Sequence, residues 1–350
     1  MDIPAALQHI VDGEDLSQAQ ATQVFHTIMS GAATPAQIGA LLAAMRVKGE
    51  TAEEIAGAAM TMRELSTKVE VDVPHLVDTC GTGGSGLKLF NISTAAAFVA
   101  AAAGAHVAKH GNRKMTSFSG SADLLEAAGV SLALNPEQIA RCISEVGVGF
   151  LFAQAHHSAM RFAGPVRQEI GIRTLMNVLG PMTNPAGATR QVIGVFSPQW
   201  QHKMAEVLML LGTRHAMIVH SDGLDEIRLD ADTTVVELQD GAITTYTITP
   251  SDLPISTHSP AAIEALKAQS SEQSLQLVRQ GLEDESSAAA DIVSLNAGAA
   301  IYVSGVANTL ADGVVMAKDA IATGLARERL RELAATSSLM AEQNGESDPT

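Results

Sequence analysis

Residues Asp78 to Thr94 read DTCGTGGSGLKLFNIST. Four glycines, Gly81, Gly83, Gly84 and Gly86, fall within six residues directly after an apolar run. Glycines at that density let a backbone approach a ligand closely. The apolar HLVD before them predicts a strand. STAAAFVAAAAG after them predicts a helix, with Ser93 or Thr94 as cap and Gly104 as stop. Strand, glycine turn and helix in that order make one βα unit and set the fold class. Gly81, Gly83 and Gly86 also satisfy G-x-G-x-x-G, the dinucleotide fingerprint. That fingerprint requires an acidic residue about 20 positions on, to bind a ribose hydroxyl. The chain reads HVAKHGNR there, which is basic. No Gly-Lys-Ser/Thr follows the glycines, so a P-loop is excluded. Two readings remain: a phosphate cradle of another kind, or a tight strand-to-helix turn that binds nothing.

The rest of the 350-residue chain continues the βα pattern. HLVDT, HVAKH, VGFLFA, QVIGVFS and AMIVHS are short apolar runs separated by helical patterns, the signature of a mostly parallel sheet. TTVVEL and AITTYTIT add two strands around Asp240-Gly241, a hairpin signal. Ahead of residue 73 the chain reads as helices. Ser17…Gln20, Thr34…Gln37 and Thr51…Glu54 are three capping boxes, and Pro35 stands at a first helical position. GPVRQEIGIRTLMNVLGPMTNP reads as helical up to its prolines, residues 286–335 as Ala-rich helices, and the polar end of the chain as a disordered tail. The fold class expected is α/β: a small all-helical N-terminal domain plus a larger α/β domain with a mostly parallel central sheet flanked by helices.

Composition narrows the function. Hydrophobic residues make up 46% and charged residues 17%, enough to bury a large core. Two cysteines exclude a disulfide scaffold and suit a reducing cytoplasm. The N-terminus has early acids and no long apolar run, so no signal peptide or membrane span is expected. A net charge of −16 disfavours nucleic acid. It also means that a phosphate ligand needs local cations or bound metal ions.

Four segments follow predicted strands and converge where open parallel sheets bind ligands. The glycine loop and the helix start after it favour an anion, with Asn91, Ser93 and Thr94 as short polar side chains. AKHGNRKMTSFSGSAD, residues 108–123, supplies Lys109 and Arg113, and offers Ser117, Ser119, Gly120 and Ser121 as a second anion nest. HSDGLDEIRL carries Asp222, Asp225 and Glu226, which suit Mg²⁺ shared with phosphate oxygens; alone, its Asp-Gly reads first as a hairpin turn. His156, His157, Arg167 and Arg173 suit a carboxylate, and no third ligand accompanies the two histidines to make a zinc site.

In order along the chain, GTGG…FNIST, AKHGNR…SFSGSADLLEAAGV, HH.AMR.AGPVRQEIGIRTLMNVLGPMTNPA and DGLDEI resemble the anthranilate phosphoribosyltransferases, pentosyl-transferring glycosyltransferases of tryptophan biosynthesis. The resemblance runs from the capped helices to LNAGAAIYVSG. It implies a helical, dimer-forming domain over 1–72 with 167–185, an α/β domain over 73–166 with 186–336, and a tail over 337–350. It implies a cytoplasmic homodimer that uses Mg²⁺ and moves a phosphoribosyl group from phosphoribosyl pyrophosphate to anthranilate. The alternatives are another aromatic acid as acceptor, or a pyrimidine nucleoside phosphorylase-like enzyme. By the resemblance, phosphoribosyl pyrophosphate contacts Gly81, Gly83, Gly84, Ser85, Asn91, Ser93, Thr94, Lys109, Asn112, Ser117 and Ser121. Anthranilate contacts Gly81, Asn112, His157 and Arg167. The metal contacts Ser93, Asp225 and Glu226. No residue is expected to act as acid or base. Four positions depart from the family pattern: Ser85 replaces an acid, Leu89 a small hydroxyl residue, and Lys114 and Phe118 differ in character.

Overall fold

The computed structural model describes residues 1–84, 87–113 and 119–346. Four helices come first: α1 Ile3–Val11, α2 Gln18–Met29, α3 Pro35–Lys48 and α4 Ala52–Leu65. All three capping boxes form, on α2, α3 and α4, each satisfying two backbone N–H groups that a helix start leaves open. The α/β part then runs β1 Leu76–Gly81, α5 Ile92–Ala102, β2 His106–Gly111, α6 Ser121–Ala127, α7 Pro136–Arg141 and β3 Val148–Phe152. It continues with α8 Ala153–His156, α9 Met160–Ile170, β4 Arg190–Gly194, α10 Gln199–Leu210, β5 His215–His220, β6 Thr233–Gln239 and β7 Ala242–Ile248. It closes with α11 Pro260–Glu264, α12 Ser271–Glu283, α13 Ala288–Ser304, α14 Leu310–Ala322 and α15 Leu325–Glu346.

The seven strands order as β3-β2-β1-β4-β5-β6-β7. The first five are parallel; β6 and β7 are antiparallel and turn on Asp240-Gly241, both at positive φ. The chain leaves β1 toward β2 on one side and returns at β4 on the other. That reversal is the topological switch point, where the carboxyl ends of parallel strands part and leave a crevice. The glycine loop stands there.

Both faces of the sheet are covered, so its strands alternate which core they feed. Val192, Met217, Val219 and Val235 join the core built with α5, α12, α13 and α14. Ile193, Ala216, Ile218 and Val236 join the opposite core, which continues into α1 to α4 and α10. The helical bundle therefore shares one core with the back of the sheet. Ala163 and Val166 on α9 and Leu175, Met176 and Met182 join that core too. Packing of this returning segment starts on α9, ahead of residue 167.

Three local expectations change. The segment 167–185 is not one helix: α9 stops at Gly171 in the left-handed region, and only single 3₁₀ turns, Leu175–Asn177 and Gly180–Met182, follow among the prolines. The N-cap of α5 is Asn91, not Ser93 or Thr94. Residues 337–346 are not a disordered tail but the end of α15; Ser337 and Met340 are buried, the Ser337 hydroxyl accepts from the Ser131 amide, and the Met340 carbonyl accepts from Gln138. Residues 347–350 lie outside the described residues. Among those described, no helix is long and apolar enough to cross a membrane.

Candidate active site

A cavity of about 330 Å³ opens at the switch point, beyond the carboxyl ends of β1, β2, β4 and β5. Its walls hold Gly81, Gly83, Gly84, Asn91, Ser93, Thr94, Lys109, Asn112, Ser121, Asp225 and Glu226. Residues from all three predicted anion and acid segments thus meet in one place. Ser85 and Ser117, and the departures Lys114 and Phe118, lie outside the described residues.

The glycine loop is tied to β4. Thr82 donates its amide to the Gly194 carbonyl at 2.9 Å, and its hydroxyl accepts from the Phe196 amide at 3.1 Å. Gly83 and Gly84 both take positive φ, +67° and +82°, a conformation that costs most other residues energy. At Gly84 a side chain would also meet Arg173, whose guanidinium donates to the Gly84 carbonyl at 3.2 Å and lies 4.0 Å over the Phe196 ring. Leu89 forms an antiparallel bridge with Lys267 and packs on the larger core, which gives the apolar departure a partner.

The start of α5 and the second anion segment are stitched together by Asn91. Its amide nitrogen donates to the Ser119 carbonyl at 3.2 Å, and its oxygen accepts from the Ser274 hydroxyl at 2.6 Å. Asn112 accepts the Ala122 amide at its carbonyl, which fixes the start of α6. Gly111 has no freedom to be larger: a Cβ there would lie 2.1 Å from Ser121 Oγ. Arg113 does not supply free positive charge. Its guanidinium grips Glu126 through two nitrogens and approaches Asp123 at 3.4 Å.

That leaves Lys109 as the buried cation. Its ammonium donates to the Thr79 carbonyl and lies 3.4 Å from Ser93 Oγ. Burial holds it below the ordinary lysine range, while Asp78, fully buried on the neighbouring strand, pulls the other way. Asp78 carries no signal in the sequence beyond its place in the run HLVDT; it accepts from the His110 amide at 3.1 Å.

The acidic wall comes from a tight turn. Asp222 and Gly223 take positive φ between bridged Ser221 and Leu224, so the Asp-Gly hairpin forms as its sequence suggests. Asp222 points outward toward Arg228, whereas Asp225 and Glu226, just past the turn, enter the cavity. Glycines let them in. A Cβ on Gly194 would lie 1.7 Å from the Asp225 carbonyl oxygen, and one on Gly81 would lie 3.1 Å from Asp225 Oδ2. Glu226 accepts from the Ser93 amide at 3.2 Å. Burial, then the charge of Asp225, pushes its carboxyl up to about 8. Two crowded carboxylates beside a serine hydroxyl form an all-oxygen set that fits Mg²⁺, which completes its shell with waters and substrate phosphates. Among the described residues no larger cluster of His, Cys, Asp or Glu gathers that could hold a metal by itself.

His157 and Arg167 do not line this cavity. His157 lies behind it, with its ring 5.1 Å from that of His110. Burial, then the neighbouring histidines, lowers His110 to about 3; burial, then His156 and Lys68, lowers His157 to about 4, so both are neutral near pH 7. Arg167 is half-buried on α9 and pairs with no acid among the described residues. Arg173 and Asn177, from the same returning segment, do line the cavity.

Residues 4–66 match the family model described as "Glycosyl transferase family, helical bundle domain", and residues 73–327 match "Glycosyl transferase family, a/b domain". An anthranilate phosphoribosyltransferase of Cellvibrio japonicus is 56% identical over 340 residues, covering 96% of this chain and 98% of its own length. The chain belongs to the anthranilate phosphoribosyltransferase family. A second member, from Hahella chejuensis, is 55% identical over 348 residues, covering 98% of this chain and 100% of its own. The crystal structure of the Thermus thermophilus family member superposes with a TM-score of 0.89 at 42% identity, over 95% of this chain and 99% of that one. A Saccharomyces cerevisiae member, in complex with phosphoribosyl pyrophosphate and Mg, has the same fold, with a TM-score of 0.86 at 24% identity over 96% and 98% of the two chains.

Two predictions come from this geometry. Gly194→Ala must push the Asp225 loop off the end of β4; a shift near 1 Å at a catalytic site costs about a hundredfold in rate. We expect kcat/KM to fall by about that factor with an unchanged circular dichroism spectrum, and parent-like kinetics would show that the contact is not rigid. The second concerns pH. A carboxyl raised from 4.5 to about 8 holds a proton in the folded chain that the unfolded chain has released, so stability falls as pH rises through that window. In metal-free urea unfolding, the parent should lose stability between pH 5 and pH 8 relative to Glu226→Gln; parallel pH dependences would contradict the burial of this charge.

Proposed function

We propose that the cavity transfers the phosphoribosyl group of 5-phosphoribosyl 1-pyrophosphate to anthranilate, giving N-(5-phosphoribosyl)anthranilate and pyrophosphate for tryptophan biosynthesis. The observation that carries this reading is the convergence, at one switch point, of a positive-φ glycine loop, the start of α5, buried Lys109 and the Asp225–Glu226 pair. Backbone amides and a helix start hold an anion without a side-chain charge. The amides of Gly81, Gly83 and Gly84, with Asn91, Ser93 and Thr94, take the diphosphate, and Lys109, Asn112 and Ser121 take the remaining phosphate and ribose oxygens. Ser85 and Ser117 belong to the same set by family resemblance. Mg²⁺, held by Asp225, Glu226 and Ser93, supplies positive charge to the diphosphate when bound.

The acceptor nitrogen of anthranilate is an aromatic amine, already neutral at pH 7. It needs no strong base, and the neutral histidines behind the cavity provide none. Catalysis then rests on placing the amine against the ribose carbon and on stabilising the departing pyrophosphate. Gly81, Asn112, His157 and Arg167 hold the acceptor, with the unpaired Arg167 guanidinium matched to its carboxylate. For Arg167 to do this, α9 and the glycine loop must approach each other around the substrates. The reading includes a cytoplasmic homodimer joined through the helical bundle, which would cover its exposed Val11 and Val47.

Arg167→Ala should raise the KM for anthranilate by about tenfold or more, the loss of one charge-assisted pair, and leave that for phosphoribosyl pyrophosphate nearly unchanged. Equal rises in both would remove Arg167 from the acceptor site.

A further inference from the structure

We propose that the opposite edge of the sheet carries a second anion site, built on Arg190 and Arg214, that takes a phosphate-sized oxyanion. β4 begins at Arg190 and β5 at His215, so this edge holds the amino ends of the strands whose carboxyl ends line the catalytic cavity. A separate cavity of about 190 Å³ lies here, walled by Arg190, Arg214, His215, Gln239, Tyr302 and Asn308, with Asp240 as the one acid among its lining residues.

The charges do not balance within the protein. Among the described residues Arg190 makes one hydrogen bond, from Nη1 to the Val303 carbonyl at 2.8 Å at the end of α13, which leaves the rest of its fork without an acceptor there. Gly305 keeps the mouth open, since a Cβ there would lie 3.1 Å from Arg190 Nη1. Burial, then the charge of Arg214, holds Arg190 below its ordinary range, so the two guanidiniums feel each other. Arg214 faces Asp240 at 3.5 Å, but both side chains are mostly exposed, at 65% and 70%, and such a pair contributes little.

The nearest buried acid, Glu237, is already satisfied. His215 contacts it at 2.6 Å and the Tyr246 hydroxyl donates to it at 2.8 Å. Burial would raise its pKa, yet the hydrogen bonds from His215, Tyr246 and Tyr302 hold it below the usual carboxylate range. It stays charged on its own donors and does not serve the arginines. Two arginines therefore line one cavity against a single, mostly exposed acid, Asp240. Paired guanidinium forks match the oxygens of a phosphate, each through two parallel N–H donors.

The test is calorimetric titration of inorganic phosphate into the full-length protein in phosphate-free, low-salt buffer, repeated with malonate. Arg214→Gln is the main variant, because Arg214 does not cap α13; Arg190→Gln is the second. We expect the parent to show two classes of phosphate site, one in the catalytic cavity and one here. Arg214→Gln should weaken one class by about tenfold, the loss of one charge-assisted pair. It should leave kcat and the melting temperature measured without phosphate unchanged. Superimposable titrations of parent and folded Arg214→Gln would overturn the site. A class that takes malonate but not phosphate, and is lost in Arg214→Gln, would overturn the phosphate assignment in favour of a carboxylate.

Discussion

A buried ammonium organises this site. Lys109 stands at the end of a central strand, with Asp78 beside it in the sheet and Glu226 facing it across the cavity. A buried charge without a partner is costly, and a buried pair is tolerated only when its hydrogen bonds are also met. Here the ammonium donates to the Thr79 carbonyl, and Asp78 accepts the His110 amide. The cation is fixed to the backbones of two adjacent strands before any substrate arrives. Glu226 enters the cavity on a loop that fits only because Gly194 and Gly81 lack side chains where Asp225 crosses the strand ends.

That arrangement accounts for how an acidic protein would hold the polyanion of the proposed function. Arg113, the other cation of the same segment, is neutralised by Glu126 and Asp123, so Lys109 is the buried cation of the cavity, with Arg173 on its exposed wall. In the proposed function, backbone amides of the glycine loop, the start of α5 and Lys109 carry the binding. In the same proposal, the acids opposite them would bring a divalent cation to the phosphates. Burial, then the charge of Asp225, raises the Glu226 carboxyl in this acidic wall.

Much of this was legible in the sequence. The five parallel strands, the Asp240-Gly241 hairpin and the three capping boxes follow from period, turn chemistry and cap spacing, all of them local. The glycine loop, Lys109 and the Asp225–Glu226 pair were legible because each lies in or just past the carboxyl half of a strand, and parallel topology brings strand ends together. What was not legible depends on contacts between distant parts. Asp78 looks like a strand terminus until Lys109 is placed beside it. Gly194 looks like ordinary strand sequence until the Asp225 carbonyl lies against it. The end of α15 is polar enough to suggest disorder, yet it docks Ser337 and Met340 against residues more than 200 positions earlier. The run 167–185 has helical composition, but Gly171 and its prolines break it into turns that bring Arg173 and Asn177 to the cavity.

The measurement that bears most directly on the account is anthranilate fluorescence followed over time with the purified full-length protein. The account predicts loss of the signal only when protein, phosphoribosyl pyrophosphate and Mg²⁺ are all present. A stable signal from folded protein with both substrates and the metal would contradict the transfer of phosphoribosyl to anthranilate at this cavity.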